Sequence, residues 1–138
     1  MAEPALAVQD AVLTALRGDA ALRALVGTRI WDTPPGPSST FPCVTLGEGQ
    51  TIPQRSLGCF DAAEHFFRVH VWSREVGYPQ CKRIAEAVHR VLHEAEIAVS
   101  GFTLIDMAQE NSVFMRDPDG KTSHSVLEFR ALLDSTDT

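Results

Sequence analysis

At 138 residues the chain has the length of one ordinary domain, and 44% hydrophobic against 22% charged residues, with a mean hydropathy of -0.05, excludes the composition of a disordered chain. With 12 Lys and Arg against 18 Asp and Glu the formal charge is -6, which argues against holding nucleic acid, because gripping phosphates requires a basic surface. Cys43, Cys59 and Cys81 are odd in number, widely spaced and without a CxxC pair, so neither a disulfide framework nor a zinc knuckle is indicated and reduced thiols are expected.

The N-terminus carries Glu3 and Pro4 ahead of an amphipathic segment, without a basic region and long apolar run. No stretch approaches the roughly 18 apolar residues of a membrane span. A chain made and folded in the cytoplasm is expected. Apolar residues at Leu6, Val8, Val12, Leu13 and Leu16 predict a helix over residues 4–17, with Pro4 tolerated in its first turn and Gly18 placed to end it. Asp19 is a suitable N-cap for a second, shorter helix over residues 20–26 that stops at Gly27.

Residues 29–33 read as a short strand around Ile30 and Trp31, followed by a loop at 34–40 that is too rich in Pro, Gly and Ser to continue it. FPCVTLGEG resumes at Phe41 as a strand, Gly47 and Gly49 weaken it, and Pro53 is expected to break it, leaving a long mobile loop over 50–61. Phe67, Val69 and Val71 alternate with Arg68, His70 and Trp72, the pattern of a strand with one buried face. The stripe Cys81, Ile84, Ala85, Val88, Val91, Leu92 and Ala95 predicts a helix over 78–95 lying on a sheet. Residues 102–116 and 122–134 flank Asp117, Pro118, Asp119 and Gly120, a turn sequence, so a long C-terminal β-hairpin is expected.

These elements predict an α+β fold: an antiparallel sheet of about four strands, with the long C-terminal β-hairpin, packed against two to three helices. They form a single domain over 1–138 whose last residues, 134–138, have nothing to bury and fray.

Candidates for chemistry are few. Helical spacing brings Glu86, His89 and His93 near one face, and an i, i+4 histidine pair can hold a transition metal. There is no HExxH, however, and the same face carries the alternating charge of a solvated helix. His65, His70 and His124 are residue types that could serve as a base to Cys59, Ser73 or Asp61, yet no GxSxG elbow frames a serine. RDPDGKTSH lacks the order and the distal Glu of a calcium-binding EF-hand loop, and a hairpin turn explains it. No cofactor is indicated. Trp31, Trp72, Phe66 and Phe114 are aromatics of the kind that, left on an outer sheet face, favour burial by a protein partner.

Taken in order, the run from Val26 to Pro35 (VG-RI-D-PP), FPCV at Phe41, VWSR at Val71 and the RDPDG-T-H-V run beginning at Arg116 resemble small tail-completion proteins. These are also called tail terminators, and occur in long-tailed bacteriophages and phage-like gene transfer agents. The likeness covers nearly the whole chain, with Cys43 where an aromatic is more usual and Glu128 just before Phe129. It implies no catalytic residue. It implies a structural protein that assembles as a ring, usually of six copies, on the head-proximal end of the tail tube, ends tube growth and forms the joint to the head connector. The implied partners are further copies of itself, the tail tube protein and the connector or stopper protein, with DNA passing through unheld and no membrane. Closing such a ring needs heterologous contacts, for which the two loops and the hairpin are the candidates. The expected interface residues are Trp31, Pro35, Phe60, Phe66, Trp72, Arg116, Asp117 and Asp119. Two other readings are a small metal-dependent enzyme built on the α-helical histidines and a cytoplasmic adaptor using the aromatic face.

Overall fold

The computed structural model describes residues 3–33, 35, 40–54 and 62–135. In chain order these form α1 (Pro4–Gly18), α2 (Ala20–Val26), β1 (Ile30–Trp31), β2 (Cys43–Gln54), β3 (Ala62–Ser73), α3 (Pro79–Leu92), β4 (Phe102–Arg116) and β5 (Ser123–Ser135). The strands make one sheet in the order β1-β2-β3-β5-β4. Every pairing is antiparallel except that of β1 with β2, so the expected α+β class holds and the sheet gains a short parallel strand at one edge.

The two N-terminal helices are divided by one residue. Asp19 ends α1 with its backbone amide donating to the Leu16 carbonyl at 3.3 Å, while its carboxylate accepts from the Leu22 amide at 2.9 Å and caps α2. Gly27 closes α2 at φ 62°, in the left-handed region that a Cβ disfavours. Arg17, in the last turn of α1, then donates through Nε and Nη2 to the Ile30 carbonyl at 3.2 and 2.7 Å, pinning β1 beneath the helix.

All three helices lie on one sheet face, where Val44, Leu46, Phe67, Val69, Val71, Leu127, Phe129, Ala131 and Leu133 form the core with Val12, Leu16, Ile84, Val88 and Leu92 from the helices. At the middle of this face Phe67 and Phe129, directly paired across β3 and β5, stack with ring centroids 5.4 Å apart. Among the described residues the opposite face carries no helix.

Three boundaries differ from the sequence expectation. Residues 50–54 are not loop but the second half of β2, paired with β3 from Gln50↔Phe66 to Gln54↔Ala62; residues 55–61 lie outside the described set. A bulge between Leu46 and Gly49 absorbs the glycines. Pro53 is tolerated because β1 pairs only with Val44 and Thr45, so β2 is an edge strand there and a missing amide leaves no gap in a ladder. Helix α3 stops at Leu92 instead of reaching Ala95: Glu94 adopts φ 56° and its amide donates to the Met107 carbonyl of β4 at 2.7 Å. Strand β5 runs through Asp134 and Ser135, which pair with Thr103 and Phe102, while 136–138 lie outside the described residues.

The shared cap at Asp19 yields a test. Asp19→Ala is expected to destabilise the fold by about 1 kcal/mol in urea unfolding, whereas Asp19→Asn, which keeps an accepting oxygen, loses only a few tenths. Equal losses for the two would show that the cap is not the source of the effect.

Candidate functional site

The helix-free sheet face is where side chains with chemistry collect. Alternation along β3 sends Arg68, His70 and Trp72 to this face, and the register sets Trp72 against His124, His70 against Val126 and Arg68 against Glu128. Parallel pairing of Trp31 with Thr45 brings Trp31 to the same face, and Phe66 follows from its place two residues before Arg68. The indole of Trp72 lies on the His124 ring at a centroid distance of 3.7 Å and donates through Nε1 to the Thr45 hydroxyl at 2.9 Å.

Two imidazoles and two carboxylates form a chain across three strands and a turn. Nε2 of His70 lies 2.9 Å from Oε1 of Glu48, Nδ1 of His70 lies 2.7 Å from Nε2 of His124, and Nδ1 of His124 faces Oδ1 of Asp117 at 3.6 Å. The bulge of β2 makes room for this: a Cβ at Gly47 would stand 2.4 Å from Nε2 of His70, so only glycine allows the imidazole to lie over it. Hydrogen bonding to His70 holds the Glu48 carboxyl below its ordinary range, and burial, the largest influence on it, pushes His124 below the usual histidine value. Beside the chain, Arg68 pairs with Glu128 at 3.0 Å, and Arg130 with Glu64. Glu48, Gln50, Ile52, Phe66, Arg68 and Glu128 line a shallow trough between the bulge and the centre of the sheet.

The hairpin turn is built by its own polar groups. The Asp119 carboxylate accepts from the amides of Lys121 and Thr122 at 2.8 and 2.9 Å and from the Thr122 hydroxyl at 2.7 Å, which lowers its pKa to about 2, and Gly120 completes the turn at φ 71°. Arg116 stacks its guanidinium over Tyr78 at 5.3 Å on the helix side, while the next residue, Asp117, reaches His124 on the other side. The outer half of β4 is exposed at Val113, Phe114 and Met115.

Of the residues expected at an interface, Trp31, Phe66 and Trp72 share the outer face, and Arg116, Asp117 and Asp119 share the turn. Pro35 is half-buried and Phe60 lies outside the described residues. Phe114 does not join the other aromatics: it pairs with Ser125 and points to the helix side, with the Lys82 ammonium 5.3 Å from its ring. The histidines of α3 are spent on the sheet. Nδ1 of His89 lies 2.7 Å from Oε1 of Gln109, Nδ1 of His93 accepts from the Gln109 amide at 3.0 Å, and Glu86 pairs with Arg90 at 2.9 Å. Among the described residues no group of three or more His, Cys, Asp or Glu is arranged to hold a metal ion.

Among the described residues no nucleophile-and-base pairing assembles either. Ser73 lies on the helix face and donates to Oε1 of Gln80 at 2.6 Å, away from His70 and His124, and Cys59 and Asp61 are outside the described residues. His65 is buried beside Thr51, whose hydroxyl is 2.8 Å from its Nδ1. The joining of His70 to Glu48 and His124 is absent from the sequence reading. Alternation along β3 placed His70 on the polar face, but its partners depend on a register and a bulge that alternation alone does not specify.

Comparison with known proteins gives a family and a solved relative. Residues 10–134 match the family described as tail completion protein gp17. A chain of the solved structure "Virion of native gene transfer agent (GTA) particle" superposes with a TM-score of 0.88 at 31% sequence identity, over 98% of this chain and 100% of that one. The search of curated proteins gave no match.

A pH dependence follows from the two buried histidines. Burial holds both His65 and His124 below the ordinary histidine value, so the unfolded chain takes up these protons first. Stability is therefore full above about pH 6.5, the ordinary histidine value, and erodes as the pH falls through it. Urea midpoints at pH 7.5, 6.5 and 5.5 should decline in that order, and His65→Gln should make the decline shallower.

Proposed function

Because the chain belongs to the tail completion protein gp17 family, we propose that it caps the head-proximal end of a phage-like tail tube as a ring, ends tube growth and forms the joint to the head connector. The observation that carries this reading is the match, end to end, to a chain of a gene transfer agent virion. A structural role in a phage-like tail follows from the family itself, and no catalytic step is required of it. In this reading the chain acts as one domain over 1–138. It is made in the bacterial cytoplasm, then becomes part of the particle at the junction of tail and head. Its partners are five further copies, the tail tube protein and the connector or stopper protein.

Ring closure requires that one patch of each subunit fit a different patch of its neighbour. The outer sheet face, with Trp31, Phe66 and Trp72, and the hairpin turn, with Arg116, Asp117 and Asp119, supply two such patches, one across the sheet and one at its hairpin end. Pro35, and Phe60 outside the described residues, are assigned to the same contacts. The net charge of -6 suits a channel that DNA crosses without being held, since like charge keeps phosphates mobile.

Electron microscopy of particles from a producing strain lacking the gene, beside the complemented strain, tests the reading. Unjoined heads and tails of uncontrolled length are expected on deletion; normally joined particles would refute it. Complementation with Phe66→Glu or Arg116→Glu should fail even though each variant unfolds within a few degrees of the parent chain, because exposed and half-buried sites away from the core contribute little to stability. Restoration of joined particles by both variants would remove these two patches from the ring contacts.

A further inference from the structure

The chain Glu48–His70–His124–Asp117 has three gaps, and each gap needs one proton to become a hydrogen bond. Two neutral imidazoles bring two protons. We assign them from the distances: 2.9 Å between Glu48 and His70 and 2.7 Å between His70 and His124 lie within hydrogen-bond range, whereas 3.6 Å between His124 and Asp117 lies beyond it. His70 therefore donates from Nε2 to Glu48 and accepts at Nδ1 from Nε2–H of His124. Nδ1 of His124 is left bare and faces a carboxylate, two acceptors that repel.

We infer that these four residues form a proton-operated latch, in which a third proton taken up at Nδ1 of His124 draws Asp117 and the hairpin turn onto the outer sheet face. Proton uptake from solvent converts His124 to an imidazolium, changes the group's charge from -2 to -1, and turns the open gap into a charge-assisted hydrogen bond. The Trp72 ring, stacked 3.7 Å from His124, presents its π-face to that cation.

The surroundings leave few competitors. From β2 come Glu48 and Cys43, whose thiol is pushed up to about 11 and stays protonated; from β3 comes Arg68, which acts on Glu48; just past its end comes Arg74, which donates to the Thr122 hydroxyl at 3.3 Å and so already holds the far side of the turn; from the turn comes Asp117. Strand β4 sets the uncharged Met115 opposite His124, and the helices lie on the other face. Asp117 is also the residue whose carbonyl accepts from Gly120 and whose amide donates to Thr122, so moving it moves the turn. If the turn contacts a neighbouring subunit, a consequence that rests on the function proposed above, the latch makes that contact pH-dependent.

The test uses the full chain in solution, uniformly isotope-labelled and read by NMR, and does not involve particle assembly, so latch and ring stand or fall separately. At pH 7.5 both His70 and His124 should carry their proton on Nε2. On acidification His124 should become doubly protonated while the Asp117 carboxyl resonance and the Gly120 and Thr122 amides shift with the same midpoint. In Asp117→Asn, removal of the facing anion should lower the His124 midpoint by about half to one pH unit. An Nδ1–H tautomer of His124 at pH 7.5, an Asp117 resonance that stays still while His124 titrates, or an unchanged midpoint in the variant would each overturn the latch. Should the variant fail to fold, the tautomer and the carboxyl resonance of the parent chain still decide.

Discussion

The antiparallel register of β3 against β5 is the constraint on which both faces of the molecule depend. Twelve consecutive residues of β3, Ala62–Ser73, pair with β5 without interruption, and the pairs alternate between the two sides of the sheet. Phe67 with Phe129 and Val69 with Leu127 build the core under the helices; Trp72 with His124 and Arg68 with Glu128 build the outer face. A slip of one residue would exchange these sets, burying arginine and glutamate and exposing phenylalanine, at a free-energy cost far above the stability of a domain of this size. The core thus enforces the polar arrangement on the far side.

Around that central pair the chain uses local devices to close the fold. Asp19 serves two helix ends, closing α1 through its amide and capping α2 through its carboxylate, Arg17 ties the first helix to β1, and Gln109 ties the last helix to β4 through His89 and His93. The bulge at Gly47 and Glu48 lets β2 continue past residues that break a regular strand and at the same time clears the space His70 occupies. Structure on one side of the sheet and electrostatics on the other are linked through these few positions.

Much of this was legible from residue pattern. The Asp19 cap, the alternation of Phe67, Val69 and Val71, the stripe of α3 and the turn at Asp117 to Gly120 all carry their own local cause, and each stands where that cause puts it. Residues 50–54 carry the pattern of a loop yet form strand, because Pro53 breaks a central strand but not an edge, and edge status is a property of the sheet rather than of the segment. The apolar stripe of α3 continues past the helix's end, because the Glu94 amide pairs with the Met107 carbonyl of β4 and not with the helix. The grouping of Trp31, Phe66 and Trp72 was foreseen as composition, but Phe114 was misassigned to it, since the bulge in β4 between Gln109 and Asn111 resets which face each later residue occupies. The histidine chain needed three strands in register and so had no local signal.

The placement of the thiols has a consequence for a protein proposed to travel in a particle beyond the reducing interior of its cell. Cys43 and Cys81 are fully buried, and burial pushes both thiols up to about 11. Oxidation and disulfide exchange proceed through the exposed thiolate, a species these two sites do not present. Burial and a protonated thiol thus both slow their oxidation, and the fold uses the two sulfurs as small hydrophobes.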